Sequence, residues 1–402
     1  MHNRKLYMEH IKPFINKPVV KVITGLRRVG KSYFMRLIIK YLQQQNINDQ
    51  QIIYLDMESI DFDFIRTYQQ LHDYIKNQPN LAPGRKIYLF IDEVQKIDGW
   101  EKCIASYLGD GNYDIYLTGS NASMLSSKFA SLLSGRYIEF PIYSLSFSEF
   151  LDFMGKKETD SLSQFPLYLQ FGGFPALSHF NLNKEIVYQY ISAIYDTILL
   201  KDIVKRYRVR NITLLENITK YSFDNIGNIF SAKKISDYLK SQKISVGVET
   251  VQNYLSYLCS TFALHKVQRY DIKGKRLLEL HEKYYLGDIG LRHALFGYRE
   301  AGIAGMLENL IFLELKRRGY NISIGKYGTK EIDFIATTAD DKIYIQVCYL
   351  LSSEQTIERE FSPLLAIRDN YPKYVLSMDT IFGSDYAGIK RFNLIDFLLQ
   401  PL

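Results

Sequence analysis

From about residue 19 to residue 145, short apolar runs alternate with amphipathic stretches. Each apolar run is bounded by turn or polar residues, which is typical of buried strands. The runs are Val19–Ile23, Ile52–Leu55, Ile87–Ile91, Asp114–Leu117 and Tyr137–Ile142. Between them, Ser32–Gln44 and Ile65–Asn77 carry apolar residues at helical spacing. This alternation predicts an α/β fold in which βαβ units surround a parallel sheet, with helices on both faces.

The pattern changes beyond residue 145. Residues 145–225 have helical periodicity, interrupted by a turn that glycine and proline predict at Phe171–Pro175. Ser231 and Thr250 are placed to cap two further helices, and the strand-like runs Phe262–Tyr270 and Arg276–His281 follow. Two helices followed by a hairpin predict a winged-helix region.

From Gly305 the sequence predicts a small α/β domain. Its predicted helices and strands are Met306–Arg317, Asn321–Tyr327, Glu331–Thr337, Lys342–Leu350, Ile357–Asn370 and Tyr374–Met378. We therefore expect four regions: a sheet core at 1–150, a helical lid or linker at 151–225, the winged-helix region at 226–300 and the small domain at 301–402.

Length and composition are those of a globular protein with two or three domains: 402 residues, 47% hydrophobic and 23% charged. The net charge of +7 permits contact with nucleic acid without indicating it, and a solvated, slightly basic surface is the preferred interpretation. The three cysteines form no CxxC pair, so neither a disulfide framework nor a zinc site is indicated. Without a signal-peptide core or an apolar run of membrane-spanning length, we expect a cytoplasmic protein with no membrane partner.

A phosphate-binding loop is predicted directly after the first strand. The sequence GLRRVGKS matches the pattern G-x-x-x-x-G-K-[ST], with a strand before it and a helix after it. The glycines permit a tight turn whose amides point at phosphate, the lysine reaches the β- and γ-phosphates, and the serine binds Mg²⁺. The candidate ATP-binding residues are Gly25, Leu26, Arg27, Arg28, Val29, Gly30, Lys31 and Ser32.

Acidic and polar residues follow two later strands. Asp92 and Glu93 end an apolar strand, where the first can hold Mg²⁺ and the second can activate water. After the next strand, Asn121 is the first candidate to contact the γ-phosphate or the water, and Ser120 is the second; an ordinary polar turn is the alternative. Arg136 is placed to reach the nucleotide of a neighbouring subunit, or equally to form a local salt bridge.

With these motifs in place, the chain resembles the AAA+ superfamily, specifically AAA_14-type P-loop ATPases of bacteria and archaea with a C-terminal domain of unknown function, DUF4143. The strings that carry the resemblance are GLRRVGKS (25–32), LFIDEVQ (89–95), LTGSNASML (117–125), LSGRYIEFPIYSLSFSEF (133–150), FGGFP (171–175), YDTILLKDIVKR (195–206), EIDFIA (331–336) and IQVCYLL (345–351). By resemblance, residues 25–32 are Walker A, Asp92 and Glu93 are Walker B, Asn121 or Ser120 is sensor 1, and Arg136 is an arginine finger.

The C-terminal region resembles a restriction-endonuclease-like domain, which uses a helix Glu, a strand Asp and a Glu-x-Lys on the next strand. Glu308 and Asp333 match the first two positions, but Gln346 and Cys348 stand where the Glu and Lys are expected. A neutral amide and a thiol supply neither ligand charge nor a cationic helper, so we expect a binding module. Substitute lysines for the missing one are Lys326, Lys330 and Lys342.

The leading hypothesis is a Mg²⁺-dependent ATPase whose hydrolysis switches the C-terminal binding domains. A nucleotide-gated DNA-binding protein with little turnover is a second hypothesis, favoured by five basic residues in the predicted wing: Lys266, Arg269, Lys273, Lys275 and Arg276. An ATP-dependent nuclease is a third. The expected partners are ATP, DNA through the winged helix, a protein client and other copies of the chain.

Overall fold

The structure is a computed structural model that describes residues 2–78, 85–122, 131–133, 135–299, 302–380 and 385–400, without the side chains of 279–281. Residues 123–125 and 134, which belong to two of the quoted strings, and the side chain of His281 therefore lie outside the described residues. The chain folds as two units, Met1–Ile142 (unit 1) and Tyr143–Leu402 (unit 2).

Unit 1 is built on a parallel sheet of five strands. The strands are β1 (Val20–Thr24), β2 (Ile52–Asp56), β3 (Ile87–Asp92), β4 (Tyr113–Thr118) and β5 (Tyr137–Pro141). Their order in the sheet is β2-β3-β4-β1-β5, and every adjacent pair runs parallel. The predicted strands and the α/β class are confirmed: β1 and β3 are buried along their whole length, β4 nearly so, and β2 and β5 only in part.

The helices of unit 1 are α1 (Lys5–Ile11), α2 (Lys31–Gln44), α3 (Tyr68–Lys76) and α4 (Trp100–Gly109). The sequence predicted α2 within one residue. It began α3 three residues early, because Thr67 starts that helix with a capping box to Gln70. The sequence analysis did not predict α1 or α4. Short 3₁₀ turns lie at Lys12–Phe14, Asp49–Gln51, Ile60–Phe62 and Val94–Lys96.

A buried ion pair crosses the middle of this sheet. Lys21 on β1 pairs with Asp114 on β4, and neither side chain has any exposed surface. The carboxylate of Asp114 also accepts hydrogen bonds from the Tyr116 hydroxyl (2.8 Å) and the Asn16 amide (3.0 Å). Burial lowers the pKa of Lys21, while the charge of Asp114 opposes that shift. Asp114 therefore satisfies several buried donors that would otherwise be left without an acceptor.

Unit 2 contains most of the helices. They are α5 (Phe147–Phe153), α6 (Ser161–Phe171), α7 (Lys184–Thr197), a π-helix (Ile198–Val204), α8 (Lys205–Tyr207), α9 (Ile212–Asp224), α10 (Ala232–Ser241), α11 (Val248–Ser260), α12 (Gly290–Phe296), α13 (Ile303–Arg317), α14 (Glu354–Leu365) and α15 (Leu394–Leu399), with 3₁₀ turns at Glu158–Asp160 and Pro175–Phe180. The predicted turn after α6 is confirmed. A Cβ on Gly172 would lie 2.0 Å from Asp288 Oδ1, so only glycine fits there.

The strands of unit 2 form one continuous sheet. They are β6 (Ile229–Phe230), β7 (Leu264–Asp271), β8 (Arg276–Leu286), β9 (Asn321–Tyr327), β10 (Lys330–Thr337), β11 (Lys342–Val347), β12 (Lys373–Ser377), β13 (Asp385–Tyr386) and β14 (Ile389–Asn393). The order is β13-β14-β12-β11-β10-β9-β7-β8-β6. The predicted hairpin is present, and it joins the sheet of the C-terminal region because β7 pairs in parallel with β9.

A side-chain cap explains where the first of the two helices before the hairpin begins, but not the second. Ser231 accepts a hydrogen bond from the Lys234 amide, as predicted, and α10 starts at Ala232. Thr250 does not cap α11, which begins two residues earlier after Gly247. Among the described residues, no helix combines the length and the apolar character that crossing a membrane requires.

We expect Asp114→Ala to lower the free energy of unfolding of unit 1 by roughly 3–5 kcal/mol, since it leaves a buried ammonium without its partner. The fluorescence of Trp100 during urea denaturation measures this. Trp100 is the chain's single tryptophan, and it is buried in unit 1.

The matched control is Asp63→Ala, which removes an ion pair with Arg66 whose side chains are more than half exposed. It should cost less than about 1 kcal/mol. Equal losses for the two variants would show that the buried pair has no special role.

Candidate nucleotide site

The topology brings three polar segments to one edge of the sheet of unit 1. Strands β1, β3 and β4 run parallel, so their carboxyl ends meet at the same edge, with β4 between the other two. Gly25 follows β1, Glu93 follows β3 and Gly119 follows β4. The Gly119 amide donates to the Ile23 carbonyl at 3.3 Å, which ties the end of β4 to β1.

The loop after β1 has a backbone that only glycine permits at its first position. Gly25 has φ +139°, and a Cβ there would lie 2.1 Å from the Ile142 carbonyl oxygen. At its end, Gly30 has φ +96° and starts α2. The free amides at the start of α2 and the positive end of its dipole make this loop suited to phosphate.

Lys31 is held over this loop. Its side chain is almost fully buried, and Nζ donates to the carbonyls of Gly25 and Leu26, both at 3.0 Å. Leu26 and Val29 are buried and anchor the loop in the core. The ammonium group therefore lies at the loop, and its contact with phosphate stays a prediction.

The remaining loop residues differ in exposure. Arg27 is partly buried and lies 3.8 Å from Glu58, while Arg28 and Ser32 are exposed. Arg28 has φ +66°, an uncommon conformation for a residue with a long side chain. Arg28 is exposed as a surface charge would be, whereas the Arg27 side chain is only 12% exposed, and a phosphate contact stays a prediction for both.

Arg4 stabilises the loop through a contact with its backbone, and no pattern in the sequence predicted this role. Its guanidinium is 1% exposed and donates to the Val29 carbonyl at 3.1 Å. It also lies 4.4 Å from the ring centroid of Tyr7, and Tyr7 packs edge-on against Phe34 of α2. A single polar residue near the start of a chain gives no pattern from which this contact could be predicted.

Asp92 is fixed by donors from both neighbouring strands. Its side chain is buried; Thr118 on β4 donates to Oδ1, and Tyr54 on β2 donates to Oδ2 at 3.2 Å. Burial raises the pKa of Tyr54 far above its usual range, and the charges of Asp92 and Asp56 add to this, so its hydroxyl stays a donor. Each carboxylate oxygen has two lone pairs, and one donor leaves the second available.

The donor set fits magnesium. The hydroxyl of Ser32 and the remaining lone pairs of Asp92 are hard oxygen ligands, which Mg²⁺ prefers, and it usually keeps several waters. The Ser32 side chain is exposed at the start of α2 and is accessible to a ligand.

Glu93 turns away from Asp92 at the end of β3. It has φ +55°, in the left-handed region, and its amide donates to Thr118 Oγ1 at 2.9 Å. Its carboxylate accepts a hydrogen bond from Gln95 and another from the Ser120 hydroxyl at 3.3 Å. Two adjacent carboxylates therefore have different surroundings, as a metal ligand and a base require.

At the end of β4, the residue that contacts both acidic residues is not one of the two predicted candidates. Ser120, the second candidate, contacts Glu93, and Asn121, the first, is buried. Thr118, which was not singled out, contacts both acidic residues. A hydroxyl at a strand end was the only signal in the sequence, because the order of the strands decides which side chains it contacts. The sensor role stays a prediction.

Arg136 lies just before β5. Its side chain is exposed, and Nε donates to the Leu133 carbonyl at 3.3 Å. Its backbone carbonyl accepts the Val20 amide at 3.0 Å, which joins it to β1. The role of an arginine finger stays a prediction, since this local contact is compatible with it.

In unit 2, the nuclease-like positions surround a lysine. Lys283 on β8 is buried, with Nζ 2.8 Å from Glu308, 2.8 Å from Glu331 and 3.6 Å from Asp333. Burial lowers the pKa of Lys283, but these three carboxylates outweigh it and raise the pKa overall. Burial and the charge of Glu308 raise the pKa of Asp333 to about 8. One ammonium thus lies among three carboxylates.

None of the three lysines suggested from the sequence takes this position. Lys330 donates to the Ser362 carbonyl at 3.3 Å, Lys342 lies 3.9 Å from Asp369, and Lys326 lies on β9. The position of Lys283 could not be predicted from the sequence, because β8 belongs to the hairpin and joins this sheet only through the pairing of β7 with β9.

Gln346 and Cys348 are neutral parts of this site. Gln346 accepts from the Asp333 amide at 3.3 Å and donates to Glu360 at 3.1 Å. Burial raises the pKa of Cys348 to about 12, so it remains a thiol.

Two family models match successive regions of the chain. A family model described as an AAA domain matches residues 17–151, and one described as a domain of unknown function, DUF8612, matches residues 162–302. The expected DUF4143 domain was therefore wrong. Two of the strings behind that expectation, FGGFP and YDTILLKDIVKR, lie inside the DUF8612 match. They were therefore not specific to the family they suggested.

Relatives cover the whole chain. An uncharacterized protein of Haemophilus influenzae is 37% identical over 405 residues, covering 100% of this chain and 99% of its own. An uncharacterized protein of Methanocaldococcus jannaschii is 32% identical, covering 87% of this chain and 78% of its own. Among solved structures, the Walker-type ATPase PABY2304 of Pyrococcus abyssi has a TM-score of 0.51 at 14% identity, covering 74% of this chain and 96% of that one.

The likeness to the solved structure shows the fold. The family model shows the AAA domain, and the relatives show that the chain as a whole is related to the Haemophilus influenzae protein. Together with the loop after β1 they support ATP binding. The chain contains an AAA domain at residues 17–151 and belongs to the same family as the Haemophilus influenzae protein.

Proposed function

We propose that the protein binds ATP with Mg²⁺ and hydrolyses it, and that hydrolysis switches unit 2 between states that bind a client differently. The observation that carries the proposal is the arrangement around Thr118, which fixes Asp92 by its hydroxyl proton and Glu93 by its backbone. A protein that only stored nucleotide would need no second carboxylate oriented apart from the metal ligand.

The loop residues bind and orient the triphosphate. The amides of residues 25–32 and the ammonium group of Lys31 neutralise the phosphate charges. Ser32 and Asp92 would hold Mg²⁺, which supplies charge neutralisation at the phosphates when it is bound. Arg4 keeps the Val29 carbonyl turned inward, so the following amides face the ligand side of the loop.

Glu93 accepts the proton of the attacking water. The hydrogen bonds from Ser120 and Gln95 set the direction of its carboxylate without removing its remaining lone pairs. Phosphoryl transfer depends chiefly on positioning and charge stabilisation, so an orienting contact of this kind has a direct effect on rate. Arg136 of another copy of the chain would add positive charge at the γ-phosphate.

The nuclease hypothesis is not favoured by the geometry of unit 2. A metal-dependent nuclease needs carboxylates with lone pairs facing a divalent cation. Lys283 instead lies between Glu308 and Glu331 at 2.8 Å from each, and Tyr285 donates to the same Glu308 oxygen at 2.5 Å. These contacts support an internal ion cluster that stabilises the sheet of unit 2.

We expect Lys31→Ala to weaken ATP binding at least about 100-fold, or about 2.8 kcal/mol, because the ammonium group no longer contacts the phosphates. Calorimetric titration with ATP and Mg²⁺ measures this. Lys40→Ala, an exposed change on the same helix, is the control and should bind as the wild type does. Unchanged affinity in Lys31→Ala would place the nucleotide elsewhere.

Glu93→Gln should retain ATP binding and lower kcat by about 10²- to 10⁴-fold, the usual contribution of a general base. Phosphate release at saturating ATP measures this, with Glu101→Gln on α4 as the control. Normal turnover in Glu93→Gln would refute the assignment. Negligible turnover in the wild type, with ATP bound, would instead support the nucleotide-gated protein without hydrolysis.

Thr118→Val should lower kcat about 10- to 100-fold, the effect of one lost hydrogen bond to a charged group, with little change in KM. Valine has nearly the same shape but cannot donate to Asp92 or accept from Glu93. Thr118→Ser restores the hydroxyl and should recover most of the rate. If serine and valine behave alike, Thr118 acts through packing and not through its hydroxyl.

A further inference from the structure

The segment from Lys201 to Arg210 is the most basic short stretch whose function is still unexplained. Its ten residues contain one acidic side chain, Asp202, which is buried. Its cationic residues are Lys201, Lys205, Arg206, Arg208 and Arg210. All five are exposed, so the charge faces solvent and not the core.

The backbone explains this exposure. The π-helix Ile198–Val204 buries Ile198, Leu199 and Ile203 on one face. The chain then leaves the helix at Arg208, which has φ +53°. A π-helix inside a helical segment is rare, and those that occur often lie at functional sites. The apolar face anchors the segment, and the cations project from the other side.

Three of the cations have no partner among the residues that the structure describes. Within the described part of the chain, no hydrogen bond or ion pair involves the side chains of Lys205, Arg208 or Arg210. Unpaired like charges at neighbouring positions repel one another. An anionic ligand with regularly spaced charges would relieve that repulsion.

The basic segment is fixed against α11. The ring of Tyr207 stacks on that of Tyr257, with centroids 3.9 Å apart, and its hydroxyl donates to Ser260 at 2.8 Å. Both partners lie in the last turn of α11, so the cations of the segment are placed beside the carboxyl end of this helix.

The exposed side of α11 carries groups that recognise base edges. Gln252, Asn253 and Ser256 are exposed on it, while Val251 and Leu255 face the core. Asparagine and glutamine amides pair with adenine in the major groove. Helix α10 precedes α11, and the Ser236 hydroxyl donates to the Val246 carbonyl at 2.8 Å, closing the turn between them. A helix pair of this kind can place its second helix in a groove.

The predicted wing is a weaker candidate for phosphate contacts. Lys266 is paired with Glu282, and Arg269 lies 3.7 Å from Glu331 with its side chain 14% exposed. Lys273 lies over the ring of Tyr327, at 4.7 Å from the centroid. Two of its five cations are therefore neutralised by acidic neighbours and a third lies over an aromatic ring. Among the described residues this leaves two wing cations without a protein partner, Lys275 and Arg276, against three in the segment Lys201–Arg210.

We propose that unit 2 binds duplex DNA through the segment Lys201–Arg210, with Lys205, Arg208 and Arg210 on backbone phosphates and α11 toward the major groove. Phosphate contacts position a protein on the duplex, and base contacts from a helix beside them add sequence preference. This binding does not require ATP hydrolysis, so it stands or falls separately from the proposed function.

The test compares three variants, each with three cations replaced by glutamine. The first changes Lys205, Arg208 and Arg210; the second changes the wing residues Lys273, Lys275 and Arg276; the third changes the exposed lysines Lys156, Lys184 and Lys390, which lie on other elements. All three lose the same net charge. Fluorescence anisotropy of a labelled mixed-sequence duplex gives the affinity between about 50 and 200 mM salt.

Each phosphate contact adds about 0.9 to the slope of log affinity against log salt. We expect the first variant to lower that slope by about 2 to 3 and to bind at least about tenfold more weakly at low salt. The wing variant and the lysine control should keep the wild-type slope. All variants should melt as the wild type does and hydrolyse ATP at its rate, because the changed side chains are exposed.

Four results would overturn the proposal. The first two are a wild-type protein that shows no salt-dependent DNA binding and a first variant that keeps the wild-type slope. The third is a lysine control or a wing variant that loses as much DNA affinity as the first variant. The fourth is displacement of the duplex by polyglutamate at equal charge concentration. The last would make the segment a general surface for acidic partners, including proteins.

Discussion

The hydroxyl of Thr118 joins the two acidic residues on which the chemistry of unit 1 depends. It donates to the carboxylate of Asp92 and accepts the amide of Glu93, so one atom sets the positions of both. This contact exists because β4 lies between β1 and β3 in a parallel sheet. Strand order, and not proximity in sequence, therefore brings the phosphate loop, the acidic pair and the polar turn to one edge.

Much of unit 1 was predictable from the sequence. Apolar runs bounded by polar residues identified all five strands, and the spacing of the glycines and lysine in 25–32 identified the loop. What escaped prediction depends on contacts distant in sequence. Arg4 reaches Val29 across 25 residues, and Tyr54 reaches Asp92 across 38. No local periodicity indicates such pairs, because they are set by the order of strands.

In unit 2, contacts between residues that are distant in sequence were even harder to predict. The hairpin and the strands from β9 to β12 were predicted, but Gly290–Phe296, Leu394–Leu399, β6, β13 and β14 were not, and the hairpin was expected to lie apart from the C-terminal strands. The pairing of β7 with β9 makes them one sheet and places Lys283 among Glu308, Glu331 and Asp333. The nuclease-like pattern has Cys348 in the place of its lysine, and Lys283 on β8 lies beside its carboxyl groups instead, as part of an internal ion cluster. Likewise, basic residues of the wing are partly neutralised by acids that sequence alone did not place beside them.

The most direct test of the account is amide hydrogen exchange of the wild-type protein with and without ATP and Mg²⁺. If the loop cradles a triphosphate next to the acidic pair, exchange should slow at the amides of residues 25–32 and in the segments containing Glu93 and Ser120, which surround the ligand. Unchanged exchange at all three places with saturating nucleotide would contradict the account.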